Sequence, residues 1–206
     1  MLTKEEFYAR WSSLHSDAPV SGAVAWWLKI SYRFGLIATL LRISPNVLTL
    51  LGLVSAGMVA LTATSWWAVF FLVFSLFCDG IDGSVAIFQK RDSAWGATLD
   101  SVVDRISEAF WLYALYLIGV QAWLAITLWS IAAFQEYARA KLSSLDVTNI
   151  GVVTPTERPV RASFLFVTLI LYQLDLPGIE FLAYSFAALQ VISFALVVRF
   201  AHSQLR

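Results

Sequence analysis

Four aspartates, Asp79, Asp82, Asp100 and Asp104, fall together where an otherwise apolar chain turns polar. Asp79 and Asp82 are three residues apart, and Asp100 and Asp104 four, so on helices each pair lies along one face. Long apolar runs flank the stretch on both sides, which puts the carboxylates at or just inside a membrane boundary. Ionisable groups there are expensive and mark function by default. Four acids this close repel one another unless a cation neutralises them. An all-oxygen, carboxylate-rich set suits Mg2+ or Mn2+ rather than Zn2+. Helix capping accounts for one or two such acids, not for four.

The elements that must position them are helical and apolar. Hydrophobic residues make up 59% of the 206, with nine Trp and fifteen Phe, and mean hydropathy is +0.73. That is too apolar for an ordinary soluble domain and indicates an all-α integral membrane protein. A spanning helix needs about 20 mostly apolar residues. Six stretches qualify, 44–64, 66–88, 97–118, 121–142, 160–177 and 178–201, the fifth being the shortest in apolar content. The second and third form a hairpin around the aspartates, with its turn at Gln89-Lys90-Arg91-Asp92-Ser93.

Placement of charge gives orientation. With the N-terminus inside, all 14 Lys and Arg fall on inner segments, while the outer loops carry only Asp175 and Glu180. By the positive-inside rule the aspartates then face the cytoplasm, in a multi-pass protein of the cell membrane. Residues 24–42 interleave Lys29, Arg33 and Arg42 with Trp26, Trp27, Ile30, Phe34 and Leu41, which reads as an interfacial amphipathic helix. Ser44-Pro45 ends it and starts the first span. Residues 1–23 read as a cytoplasmic extension of unassigned role, and 24–206 as one membrane domain. Lys4, Glu5, Glu6, Arg10 and Asp17 leave no room for a signal-peptide apolar region. A single cysteine, Cys78, excludes an internal disulfide and reads as a small packing residue. The isolated His15 and His202 read as surface groups, Trp26-Trp27 and Trp66-Trp67 as interfacial anchors, and Gly52 and Gly57 as close-packing positions.

Asp79-x-x-Asp82-Gly83-x-x-Ala86, nine residues, then Gly96-x-x-x-Asp100-x-x-x-Asp104 resembles the signature of the CDP-alcohol phosphotransferase family. Ser44-Pro45-Asn46-Val47-Leu48-Thr49 at the first span agrees with it. One position departs: Ile87 stands where the signature has arginine. Arg91, one helical turn further on, is expected to offer a guanidinium from the same face as a diphosphate contact. The resemblance implies transfer of a phosphatidyl group from CDP-diacylglycerol to an alcohol with release of CMP. It implies one or two divalent ions on Asp79, Asp82 and Asp100. Asp104 becomes the general base, also able to touch a second metal. The nucleotide site implied comprises Asn46, Thr49, Asp79, Gly83, Ala86 and Gly96. Glycines 83 and 96 let a nucleotide approach the helix backbones.

Tyr137-Ala-Arg139-Ala-Lys141, Glu157-Arg158-Pro159-Val160-Arg161 and Asp104-Arg105-Ile106-Ser107-Glu108 look most like the branch that uses inositol phosphate. There Arg139, Lys141, Arg158 and Arg161 are expected to bind the acceptor phosphate, a task suited to fork-shaped donors. Topology alone also asks for basic residues at these ends. Glycerol 3-phosphate carries the same charge and is the alternative acceptor, with free inositol or serine behind it. A cation-coupled transporter is the alternative outside enzymes, although its site would sit nearer the midplane and within repeated halves. A lipid-binding relative without turnover, marked by Ile87, is another. Membrane lipid is an expected partner and nucleic acid is not; family members often pair as homodimers.

Overall fold

The computed structural model describes residues 2–14, 18–145, 147 and 153–206, without the side chain of residue 23. His15 and much of the loop expected between Ser143 and Pro159 therefore lie outside the described residues. Those residues form eight α-helices and no strand: α1 Lys4–Leu14, α2 Gly22–Leu40, α3 Pro45–Leu61, α4 Trp67–Gln89, α5 Ala94–Leu117, α6 Ala122–Ser143, α7 Arg158–Gln173 and α8 Ile179–Gln204. The six apolar stretches coincide with α3 to α8 to within a few residues, and α7 stops four residues earlier than expected. The extension at residues 1–23 holds a helix, α1. Thr3 and Glu6 start it with reciprocal bonds: the Glu6 amide donates to the Thr3 hydroxyl, and the Glu6 carboxylate accepts from the Thr3 amide at 2.7 Å. The same Thr3 amide, followed by its hydroxyl, holds the Glu6 carboxyl below its ordinary range.

Four helices end in the same way. After α2, α4, α5 and α7 one residue turns left-handed, and the next amide reaches back to a carbonyl five residues earlier: Ile43 to Ala38, Arg91 to Ala86, Val120 to Leu115 and Leu176 to Leu171. Glycine does this at 119, but at 42, 90 and 175 the left-handed residue is Arg, Lys and Asp. No glycine announces those ends in the sequence.

Two compact units divide the chain. Met1–Ser55 with Val73–Ser107 makes the first. Its core has one cluster of Ala38, Leu48, Ile81 and Val85 and another of Phe7, Leu28 and Ile87. Serines let helices approach: the Ser84 hydroxyl donates to Ser31 at 3.0 Å, and Ser75 donates to the Gly52 carbonyl at 2.8 Å. A Cβ on Gly52 would stand 3.3 Å from the Ser75 carbonyl oxygen, so Gly52 is a close-packing position. Ala56–Leu72 with Glu108–Arg206 makes the second unit. There Phe164 of α7 stacks on Phe186 of α8 at 4.2 Å, beside buried Leu128, Leu165 and Leu169.

Large apolar side chains also cover the outside. Val54, Leu61, Phe70, Val73, Ile126, Phe181, Val191 and Ile192 are all exposed, a surface suited to lipid rather than water. Among the described residues, two helices can cross a membrane by length and hydropathy, α4 and α8. α2 and α3 are apolar enough together but bend by 111° at their junction, where Arg42 turns left-handed and Pro45 begins the next helix. α2 buries Leu28, Ser31 and Ala38 and exposes Trp26, Phe34, Ile37 and Leu40.

Candidate functional site

The α4–α5 hairpin brings three of the four acids together. One carboxylate oxygen from each of Asp79, Asp100 and Asp104 lies within 4.8 Å of the others, all three side chains half-buried. Oxygens bound to one Mg2+ at 2.0–2.1 Å stand at most about 4.2 Å apart. The set thus fits a small divalent cation after closing by about half an ångström, and its donors are all oxygen, as Mg2+ and Mn2+ prefer. Asp104 also lies 3.6 Å from Arg105.

Asp82 stands apart from these three. One turn along α4 it faces α3 and is buried; Thr49 donates its hydroxyl to Oδ2 at 2.6 Å, and the Gly83 amide donates to Oδ1 at 2.6 Å. Thr49 is buried with it, so its hydroxyl meets an acid. Gly83 is exposed, and a Cβ there would meet nothing within 4 Å: the backbone beside the acids is open. Ala86, one turn on, is half-buried. Gly96 sits at the start of α5, its amide donating to Ser93, with the Asn46 side-chain oxygen 4.0 Å from the place of a Cβ. Nucleotide-site expectations at 46, 49, 79, 83, 86 and 96 therefore fall within one unit.

Two sequence expectations change here. Arg91 does not share a helical face with Ile87. α4 ends at Gln89, Lys90 turns left-handed with φ 51°, and Arg91 is the residue whose amide closes the helix end on Ala86. Ile87 itself is buried, 4% exposed, against Phe7 and Leu28. Trp27 is more than an interfacial anchor. A Cβ on Gly80 would come within 3.0 Å of its ring, so Gly80, between the first two acids, is the groove that seats α2.

The second unit holds the basic residues. Arg161 is buried and already satisfied: it meets Glu108 at 2.9 Å, Glu136 at 3.2 Å and the Thr156 carbonyl at 2.7 Å. Arg139 forks onto both oxygens of Glu157 at 2.6 and 2.8 Å, with Glu136 at 3.4 Å. Two of the three arginines expected to hold an acceptor phosphate, Arg139 and Arg161, are thus engaged by carboxylates. Buried guanidiniums need such partners, and removing one strands the other charge. Arg158 lies over the Trp111 ring at 5.5 Å, and Lys141 is exposed. Burial alone would raise the Glu157 carboxyl, but the Arg139 fork and the Thr154 amide and hydroxyl outweigh it and bring it to about 2. Sequence reasoning passed over Glu136; its spacing of three from Arg139 was the available signal.

Comparison with known proteins gives the same direction. The family model for CDP-alcohol phosphatidyltransferase matches residues 42–200. The chain is 35% identical over 129 residues to an archaetidylinositol phosphate synthase of Aeropyrum pernix, covering 58% of this chain and 65% of that protein. It is 29% identical over 140 residues to a CDP-diacylglycerol–glycerol-3-phosphate 3-phosphatidyltransferase of Cereibacter sphaeroides, covering 59% and 62%. These matches span just under two thirds of the relatives' length. The fold resembles phosphatidylinositol phosphate synthase of Mycobacterium tuberculosis. Against its structure with CDP-DAG bound, the TM-score is 0.64 at 21% identity, covering 84% of this chain and 92% of that one. Against its manganese and citrate complex the TM-score is 0.67 at 20% identity, covering 84% and 87%. With the matched segment spanning every aspartate of the hairpin, helices α3 to α7 and most of α8, the chain belongs to the CDP-alcohol phosphatidyltransferase family.

Proposed function

We propose that this protein transfers a phosphatidyl group from CDP-diacylglycerol to a phosphorylated polyol, inositol phosphate first among them, and releases CMP. The convergence of Asp79, Asp100 and Asp104 beside the open backbone of Gly83 carries this reading. In the reaction the acceptor hydroxyl oxygen bonds to the phosphorus that carries the diacylglycerol. The bond from that phosphorus to the CMP oxygen breaks, and the hydroxyl proton goes to Asp104. Asp79 and Asp100, with Asp104 beside them, would hold a divalent ion, Mg2+ or Mn2+, and Asp82 is the further ligand that the family signature implies; such an ion would neutralise the diphosphate charge. Thr49 fixes one oxygen of Asp82, as hydrogen-bonded neighbours of metal-binding carboxylates commonly do. Gly83 and Gly96 admit the nucleotide close to the helices, with Asn46 and Ala86 beside it, and Arg91 reaches the diphosphate from the turn.

The acceptor phosphate meets the exposed Lys141 together with Arg158 over Trp111, while Arg139 and Arg161 are held by acids. Arg139 joins them by exchanging Glu157 for the phosphate. Glycerol 3-phosphate is the second reading, favoured by the Cereibacter relative and by the same charge. The domain at 24–206 crosses the membrane six times through α3 to α8. α2 lies in the interface with Trp26, Phe34, Ile37 and Leu40 toward lipid. The acids face the cytoplasm, and the lipid-facing apolar surface accepts a second copy of the chain.

CMP release tests the reading. Purified protein receives CDP-diacylglycerol and Mg2+ with inositol 1-phosphate, glycerol 3-phosphate, inositol or serine in turn. CMP that depends on inositol 1-phosphate is the expected result; dependence on glycerol 3-phosphate selects the second reading. Absence of CMP with every acceptor overturns the enzymatic assignment.

A further inference from the structure

Helix α1 precedes the segment matched by the family model, which begins at residue 42, and the transfer chemistry assigns it no part. It is nevertheless attached at three successive points to the unit that carries the acids. At its start the Tyr32 hydroxyl of α2 donates to the Leu2 carbonyl at 3.2 Å. In its middle Phe7 is wholly buried, stacked on Phe88 of α4 at 5.1 Å and edge-on to Tyr32 at 5.4 Å, in one cluster with Leu28 and Ile87. Near its end Arg10 pairs with Asp92, in the turn between α4 and α5.

The turn needs such support. It spans four residues, 90–93, and begins with a lysine in the left-handed region, a conformation costly for any side chain. On either side of it, carboxylates of α4 and α5 come within 4.8 Å of one another, so their spacing depends on how the turn holds the two helices. Ile87 fits the same picture. An arginine at this position would bury its guanidinium among Phe7, Leu28 and Phe88, where an apolar side chain belongs.

We propose that α1 is a brace on the α4–α5 turn, with Phe7 as its positioning residue, that holds Asp79 of α4 and Asp100 and Asp104 of α5 at ion-binding distance. Ile87 is the apolar seat the brace requires. This rests on the reading of the acids as a divalent-ion site, and it adds a residue outside that site on which ion affinity depends. Phe7 touches no reacting group; it acts through the turn.

The test uses the full-length protein in lipid nanodiscs with Mn2+ alone as the probe, its free concentration read by electron paramagnetic resonance. Amide exchange over residues 86–97 is the second readout. Phe7→Ala is expected to weaken Mn2+ binding about tenfold, as loss of a supporting group around a metal site does, and to speed exchange in the turn. Phe7→Leu should recover most of both. Phe186→Ala, which empties another buried place, in the second unit, should leave Mn2+ affinity within about twofold despite its loss of stability. Arg10→Ala should cost about two- to fivefold, since its ion pair is solvent-exposed, and Arg10→Asp with Asp92→Arg should restore it. Ile87→Arg should behave like Phe7→Ala.

Unchanged Mn2+ affinity and unchanged exchange in Phe7→Ala overturn the brace. So does an Ile87→Arg protein that binds Mn2+ as well as the parent. An equal loss in Phe186→Ala also overturns it, because general destabilisation then explains the effect. A parent protein that binds no Mn2+, or binds it undiminished in Asp79→Asn, sinks the ion-site reading instead; faster turn exchange in Phe7→Ala would then still show α1 bracing the hairpin.

Discussion

Thr49 of α3 donates its hydroxyl to Asp82 of α4 across 2.6 Å, both side chains buried. Loss of that donor leaves a buried carboxylate oxygen without its partner, at a cost of about 1–3 kcal/mol. Thr49→Val keeps the shape and removes the bond. We expect the Mg2+ concentration for half-maximal CMP release to rise about tenfold; an unchanged Mg2+ curve would separate Thr49 from the ion site.

Asp104→Asn should retain CDP-diacylglycerol binding and lose turnover by about 10²–10⁴-fold, the range for a lost general base. Equilibrium binding of the donor alongside CMP release measures the split. A parallel loss of binding would make Asp104 chiefly a ligand.

Two neighbouring glycines on α4 should respond in opposite ways to a methyl group. Gly80→Ala drives a Cβ into the Trp27 ring and should lower the thermal midpoint by loosening α2. Gly83→Ala meets nothing within 4 Å, so the protein should melt normally while the donor KM rises. Equal melting of the two variants would show that Trp27 does not depend on the groove at Gly80.

Acid should weaken the second unit through Glu157. Its carboxyl falls from an ordinary 4.5 to about 2 in the folded protein. A depressed folded value lends stability that is fully present above 4.5 and is lost as pH falls from there toward 2. Thermal midpoints followed from pH 6 to pH 2 should decline for the parent, and Glu157→Gln should flatten that decline. Parallel curves for the two proteins would count against the Arg139–Glu157 fork.

Much of this was legible in the amino-acid order, for identifiable reasons. Apolar runs fix α3 to α8 to within a few residues because hydropathy is a local property. The spacing of Asp100 and Asp104 puts both on one face because helical periodicity is local too, whereas Asp82 turns from Asp79 toward Thr49 of α3, a tertiary contact that spacing does not show. α1 escaped since its partner surface, Ile87 and Phe88, lies about 80 residues away, although Thr3-x-x-Glu6 was there as a start signal. Arg91 was misplaced because Lys90 adopts a left-handed turn that no glycine or proline advertises. The arginines of the second unit were legible as charges, but not as charges already matched by Glu108, Glu136 and Glu157. Such pairings join helices far apart in sequence.

One guanidinium, that of Arg161 in α7, ties α5 through Glu108, α6 through Glu136 and the Thr156 carbonyl of the preceding loop. It works as a rivet through three plates, and a rivet does not tolerate exchange. Any attempt to retune this protein toward a different alcohol therefore has a natural order. The exposed Lys141 is open to change without structural penalty, whereas Arg161 can be altered only together with both of its acids.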